Sequence, residues 1–267
     1  MLTDLNDLPS ALAMLQGLVH GADPKATMQV VVRWLHFVAG ITWIGLLYFF
    51  NLVNVNFMKA LDAPTKKVVI PALMPKAMWY FRWGAVVTVL VGLMYYAMYI
   101  LPAEAPAAKL ERGEWMGLLG LWLLVVLVTY AVMFFLYRVP ALTKDGRILA
   151  VAIAVLMVVM TCLVLYVLGS KSNNCDTTGN CVYLGNKTLS IGVGGGMGIL
   201  MLLNVWGIIW PAQKRIIAAT AEGTPPDAAL ARRAFLASRA NAWLSLPMLF
   251  FMGTSHGDYI MFGKNAA

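Results

Sequence analysis

"RWLHFVAGITWIG", residues 33–45, sets an arginine and a histidine into a run that otherwise suits the interior of a lipid bilayer. The run belongs to one of six apolar stretches, near residues 29–57, 79–101, 115–137, 147–168, 189–210 and 235–257. Each is long enough to cross a hydrocarbon core of about 30 Å, which takes about 20 helical residues. Composition agrees with this reading. Hydrophobic residues make up 61% of the chain, charged residues 12%, and the mean hydropathy is +0.75; soluble domains run nearer half apolar and a quarter charged. The fold expected is all-α, an integral membrane bundle of about six transmembrane helices. Residues 1–267 form a single membrane domain, with an interfacial N-terminal segment over 1–27, the bundle over 28–258 and a tail over 259–267.

The N-terminus does not read as a secretory signal, because Asp4 and Asp7 stand where a positive region is needed. "LPSALAMLQGLV" is too short to span and is expected to be an interfacial helix, with Ser10 available as its cap. Charge then orients the bundle. With the N-terminus outside, the inner loops and helix ends carry Lys59, Lys66, Lys67, Lys76, Arg82, Arg138, Lys144, Arg147, Lys214, Arg215, Arg232, Arg233 and Arg239. Only Asp62, Asp145, Glu222 and Asp227 oppose these cations, whereas acids match bases on the other side. The positive-inside rule therefore places both termini outside a bacterial inner membrane. The net charge of +8 follows from topology and does not point to nucleic acid.

Cys175 and Cys181 lie in "SKSNNCDTTGNCVYLGN", a loop this topology puts outside. A disulfide closing a small hairpin suits that spacing and compartment; a two-cysteine metal site would lack nearby ligands. Cys162, alone in the fourth helix, reads as a small core residue.

An ionisable group within a membrane helix is a functional-site hypothesis. His36 sits about two turns below the outer surface, and His256, in "FMGTSHGDY", comes near the outer end of the sixth helix. At a similar depth the fifth helix opens with "IGVGGGMGI", which contains Gly195 and Gly196, and Gly40 lies one turn from His36. Glycine weakens a helix, so such a cluster marks a close approach. The approaching body is either a neighbouring helix or a flat macrocycle. Two imidazoles at one depth are candidate axial ligands of a haem b, since neutral imidazole binds iron well. Thr42, Thr254 or Ser255 are candidates to orient the second ring nitrogens. Arg33 either snorkels to the surface or pairs with a haem propionate. The alternatives for the histidines are a proton relay or hydrogen bonding between helices. Met248, Met252 and His256 share one helix face, a lesser candidate for copper. Asn51, Asn54 and Asn56 end the first helix, where they either line a polar pocket or, as the simpler reading has it, form a solvated terminus. His20 reads as a surface residue.

Four segments carry a family resemblance: "RWLHFVAGITWIGLLYFF" (33–50), "WYFRWGAVVTVLVGL" (79–93), "LNVWGIIWPAQKRI" (203–216) and "ARRAFLASRANAWLSLPMLFFMGTSHGDY" (231–259). In this order they resemble the membrane region of the bacterial membrane-bound urate oxidases. That resemblance implies a redox role, with electrons leaving on the outer side to an external c-type cytochrome or to other membrane subunits. The chain departs from the family between residues 50 and 76, where a histidine- and glycine-rich motif is expected, at Met78, where the family has histidine, and after Arg239, where only Asn241 of an Asn-His pair remains. The family's cytochrome domain is also missing from 1–267. Urate oxidation is therefore not carried over, while His36 and His256 are both present. The reading is of a membrane electron-transfer protein with one b-type haem near the outer face. The rival is a cofactor-free accessory subunit of a respiratory-type complex.

Overall fold

The computed structural model describes residues 23–256 together with 261 and 262. Six long helices carry the chain: α1 (Pro24–Ala60), α2 (Ala63–Glu104), α3 (Arg112–Leu136), α4 (Gly146–Gly169), α5 (Asn186–Glu222) and α6 (Ala228–Thr254). The first five are long and apolar enough to cross a membrane. α6 has the length, at 27 residues, but Arg239, Asn241 and Ser245 make it more polar than the rest. The all-helical expectation holds among the described residues. The expected interfacial helix and His20 lie outside them.

Local chemistry sets the helix ends. Asp62 accepts the amide of Thr65 at 3.0 Å to open α2, Asp145 accepts the amide of Arg147 at 2.9 Å to open α4, and Asp227 caps α6 as expected. Gly223 closes α5 in the left-handed conformation at φ 77°, where a Cβ would be strained. α2 starts earlier than expected. It begins at Ala63, 16 residues before the expected start at 79, and Pro71 and Pro75 lie inside it. Proline is tolerated in helices of this kind because neighbouring groups satisfy the freed carbonyls.

α1, α2 and α5 each contain one widened π turn, at Phe49–Asn54, Tyr96–Ile100 and Val205–Ile209. Such turns add a residue to the helix and often mark functional positions. α5 is the central helix, with a 61% buried span against 28% for each of the other four.

The helix connections fall at two ends. At the cationic end, Arg232 donates to the carbonyl of Thr143 at 3.2 Å, and the guanidinium of Arg82 stacks 4.0 Å from the Trp210 ring centre. Arg82 thus stacks on an aromatic ring. At the opposite end Cys175 and Cys181 form the expected disulfide. Asn173 and Asn174 of that loop donate to Glu114 and to the Ala107 carbonyl, each at 2.8 Å. Cys162 departs from expectation: it is exposed on α4. Trp34 and Trp243 are exposed, whereas Trp43 is fully buried.

Candidate functional site

His36 leaves α1 toward α2. Its Nδ1 lies 2.8 Å from the carbonyl oxygen of Thr88, so Nδ1–H donates and Nε2 keeps its lone pair. The ring fits because position 92 is glycine: a Cβ there would stand 2.7 Å from Cε1 and 2.8 Å from Nδ1 of His36. Thr88 and Gly92 are one turn apart on α2 and together form the seat. Thr42, a candidate orienter, instead bonds back to the Val38 carbonyl.

His256 closes the turn after α6. Its Nδ1 lies 3.0 Å from the Met252 carbonyl and 2.9 Å from the Ser255 hydroxyl, so here too Nε2 is the uncommitted nitrogen. The ring is exposed. Of the candidate orienters, Ser255 touches the ring while its hydroxyl donates to the Met252 carbonyl at 2.7 Å; the Thr254 hydroxyl turns back to the Phe251 carbonyl, and the Thr254 carbonyl is engaged by Asn186. The Asn186 side chain donates to that carbonyl at 2.9 Å, and its Oδ1 accepts the amides of Met261 and Phe262 at 2.9 and 3.1 Å. One asparagine at the start of α5 thereby fixes the end of α6.

Depth can be compared through a contact between α1 and α6. The Tyr48 and Ser245 hydroxyls lie 3.0 Å apart. His36 stands twelve residues from Tyr48 and His256 eleven from Ser245, about 18 and 16 Å along the two axes at 1.5 Å per residue. Counted along the two chains, the histidines stand at similar separations from that contact. They engage different neighbours, His36 the α2 backbone and His256 its own helix end. Arg33 is exposed, with its guanidinium 5.8 Å from the Phe37 ring centre.

The glycines are filled by protein. A Cβ at Gly195 would meet Trp122 and Met252, at Gly196 it would meet Val126 at 3.1 Å, and at Gly40 it would meet Thr88 at 3.6 Å. At Gly194 the neighbour is the α6 backbone itself, 3.1 Å away at the Met248 carbonyl. This is close helix packing through small residues. Met248 and Met252 fill that face, which accounts for the sulfur stripe.

A second polar region lies nearer the cationic end. Asn51 and Asn54 are buried, contrary to the expectation of a solvated terminus; Asn56 is exposed. Asn51 and Asn54 continue the buried stripe of Ile44 and Leu47, at i+4 and i+7 from Leu47. Asn51 donates to the Ser238 hydroxyl at 2.9 Å, and Asn204 donates to Asn241 Oδ1 at 2.8 Å. Asn241 in turn donates to the Met201 carbonyl at 2.9 Å. These bonds tie α6 to α1 and α5.

No characterised protein and no solved structure matches the chain. A family model described as "Urate oxidase N-terminal" matches residues 61–266. That range contains the Thr88–Gly92 seat, Asn186 and His256, while His36 precedes it. Since the match covers most of the chain, this protein belongs to the urate oxidase N-terminal family.

Proposed function

We propose that the chain is an electron-transfer unit of the bacterial inner membrane, with both termini outside and one b-type haem at its outer end. His36 and His256 would supply the axial nitrogens. The observation that carries this reading is their shared state: each Nδ1 is engaged by a backbone carbonyl, leaving Nε2 as the donor. Histidine ligands to metals commonly have this arrangement, with the second nitrogen fixing tautomer and ring orientation. The donor set fits haem iron; the anticipated cradle does not, because Gly195 and Gly196 already contact side chains of other helices.

A bound haem would supply a one-electron couple. Thr88 and Gly92 would hold the His36 ring, Asn186 would hold the turn bearing His256, and Arg33 would offer its cation to a propionate. Electrons would leave to an external c-type cytochrome or to another membrane subunit. The packed glycine face favours a second reading, a cofactor-free accessory subunit in which the histidines only join helices.

A dithionite-reduced minus oxidised absorption spectrum separates the two. The first reading gives a b-type α band that is lost or shifted in both His36→Ala and His256→Ala. A colourless wild type, expressed with haem supplied and purified gently, would establish the second.

A further inference from the structure

α4 and α6 flank a groove of about 1000 Å³. Its walls are apolar, from Leu149, Ile153 and Met157 on α4 and Leu244 and Phe251 on α6, with Met197 of α5 also lining it. Arg147, Arg232 and Arg239 line it too. Asp145 is the carboxylate among the lining residues, and it is engaged in capping α4 through the Arg147 amide. Arg232 turns part of its guanidinium to the Thr143 carbonyl, and Arg239 lies 5.4 Å from the Phe235 ring centre. Among the described residues the ion pair is Lys171 with Glu114, at the opposite end of the bundle. The groove thus pairs an apolar channel with an excess of two positive charges.

That combination selects its occupant. Arg239 stands seven residues beyond Arg232, about 10 Å further along the helix, where a cation without an anion is costly in a membrane. A second membrane helix would supply no charge unless it carried an acid. We infer that the groove binds a diacyl anionic phospholipid, its phosphate at the three arginines and its acyl chains along α4 and α6. Basic pockets between helices at the cytoplasmic side recognise such headgroups. This site is independent of the haem and rests only on the chain being embedded in a membrane.

The test is native mass spectrometry of the full chain after reconstitution in equal phosphatidylglycerol and phosphatidylcholine and extraction in mild detergent. The expected result is retention of phosphatidylglycerol over phosphatidylcholine. Arg147→Gln with Arg239→Gln lowers that retention by about fivefold for each arginine, the effect of one cation near an anionic lipid surface. Ala154→Trp, which fills the groove without changing charge, lowers retention of both lipids, and unchanged circular dichroism certifies the fold of each variant. Equal retention of the two lipids by wild type would overturn the inference. So would retention indifferent to both variants, displacement of the lipid by millimolar inorganic phosphate, or a lipid-free dimer cross-linked through Trp243→Cys.

Discussion

The two polar regions of this bundle use hydrogen bonds differently. Near the cationic end, Asn51 bonds to the Leu47 carbonyl of its own helix and across to Ser238, while Asn204 and Asn241 bond across helices, so each side chain ties one helix to another. At the opposite end, His36 and His256 each commit one nitrogen to a backbone carbonyl and leave the other uncommitted. A polar group engaged on one side only is available for chemistry. One engaged between helices fixes register, since an unsatisfied buried polar group costs about 1–3 kcal/mol.

The sharpest way to break this contrast is Asn241→Leu. It removes the bond from Asn204 and the donor to Met201, so we expect a loss of about 2–3 kcal/mol, read as a lowered thermal midpoint in detergent. The proposed haem band should keep its position. A band that vanished while the fold survived would mean that the two regions are not separate. Asn186→Ala comes next, because it frees the Thr254 carbonyl and two tail amides. Those contacts lie nearer the surface, and a loss of about 1 kcal/mol is expected. The same substitution should broaden or shift the haem spectrum, as the turn carrying His256 loosens.

Gly92→Ala crowds the His36 ring from its seat and breaks its bond to the Thr88 carbonyl, a loss of about 1 kcal/mol that alanine's higher helix propensity, about 1 kcal/mol, offsets. The expected outcome is an altered haem spectrum with a melting curve close to wild type; an unchanged spectrum would remove His36 from the site. The smallest effect belongs to the disulfide loop. The Thr178 hydroxyl and the Asn180 and Thr178 amides hold the Asp176 carboxyl below its ordinary value. Because the folded-state value is depressed, this contribution is complete above the ordinary carboxylate pKa and is lost as pH falls through the lower folded value. The Thr178 and Asn180 amide resonances should move together in that acid window while the global melting temperature stays put.

Much of this architecture was legible in the chain. Hydrophobic length located the helices, the loop chemistry paired Cys175 with Cys181, and Asp227 marked the start of α6. What was not legible had physical causes. Pro71 and Pro75 look like helix breakers but sit within α2. Asn51 and Asn54 are polar residues on the helix face that Ile44 and Leu47 bury, so residue type pointed to water where helical register pointed to the core. The glycines of α5 announced a close approach, and which body approached depended on side chains from other helices. Gly92 carried no mark at all. Its role appears only because an imidazole on another helix occupies the space a methyl group would fill.

The most direct test of the account is the electron paramagnetic resonance spectrum of the oxidised protein, purified with haem supplied during expression. Two imidazoles on one iron predict a low-spin haem signal in wild type, which gives way to a high-spin signal or to no haem in His36→Ala and in His256→Ala. A wild type without a haem signal, or one already high-spin, would contradict the claim that these two histidines hold a single iron.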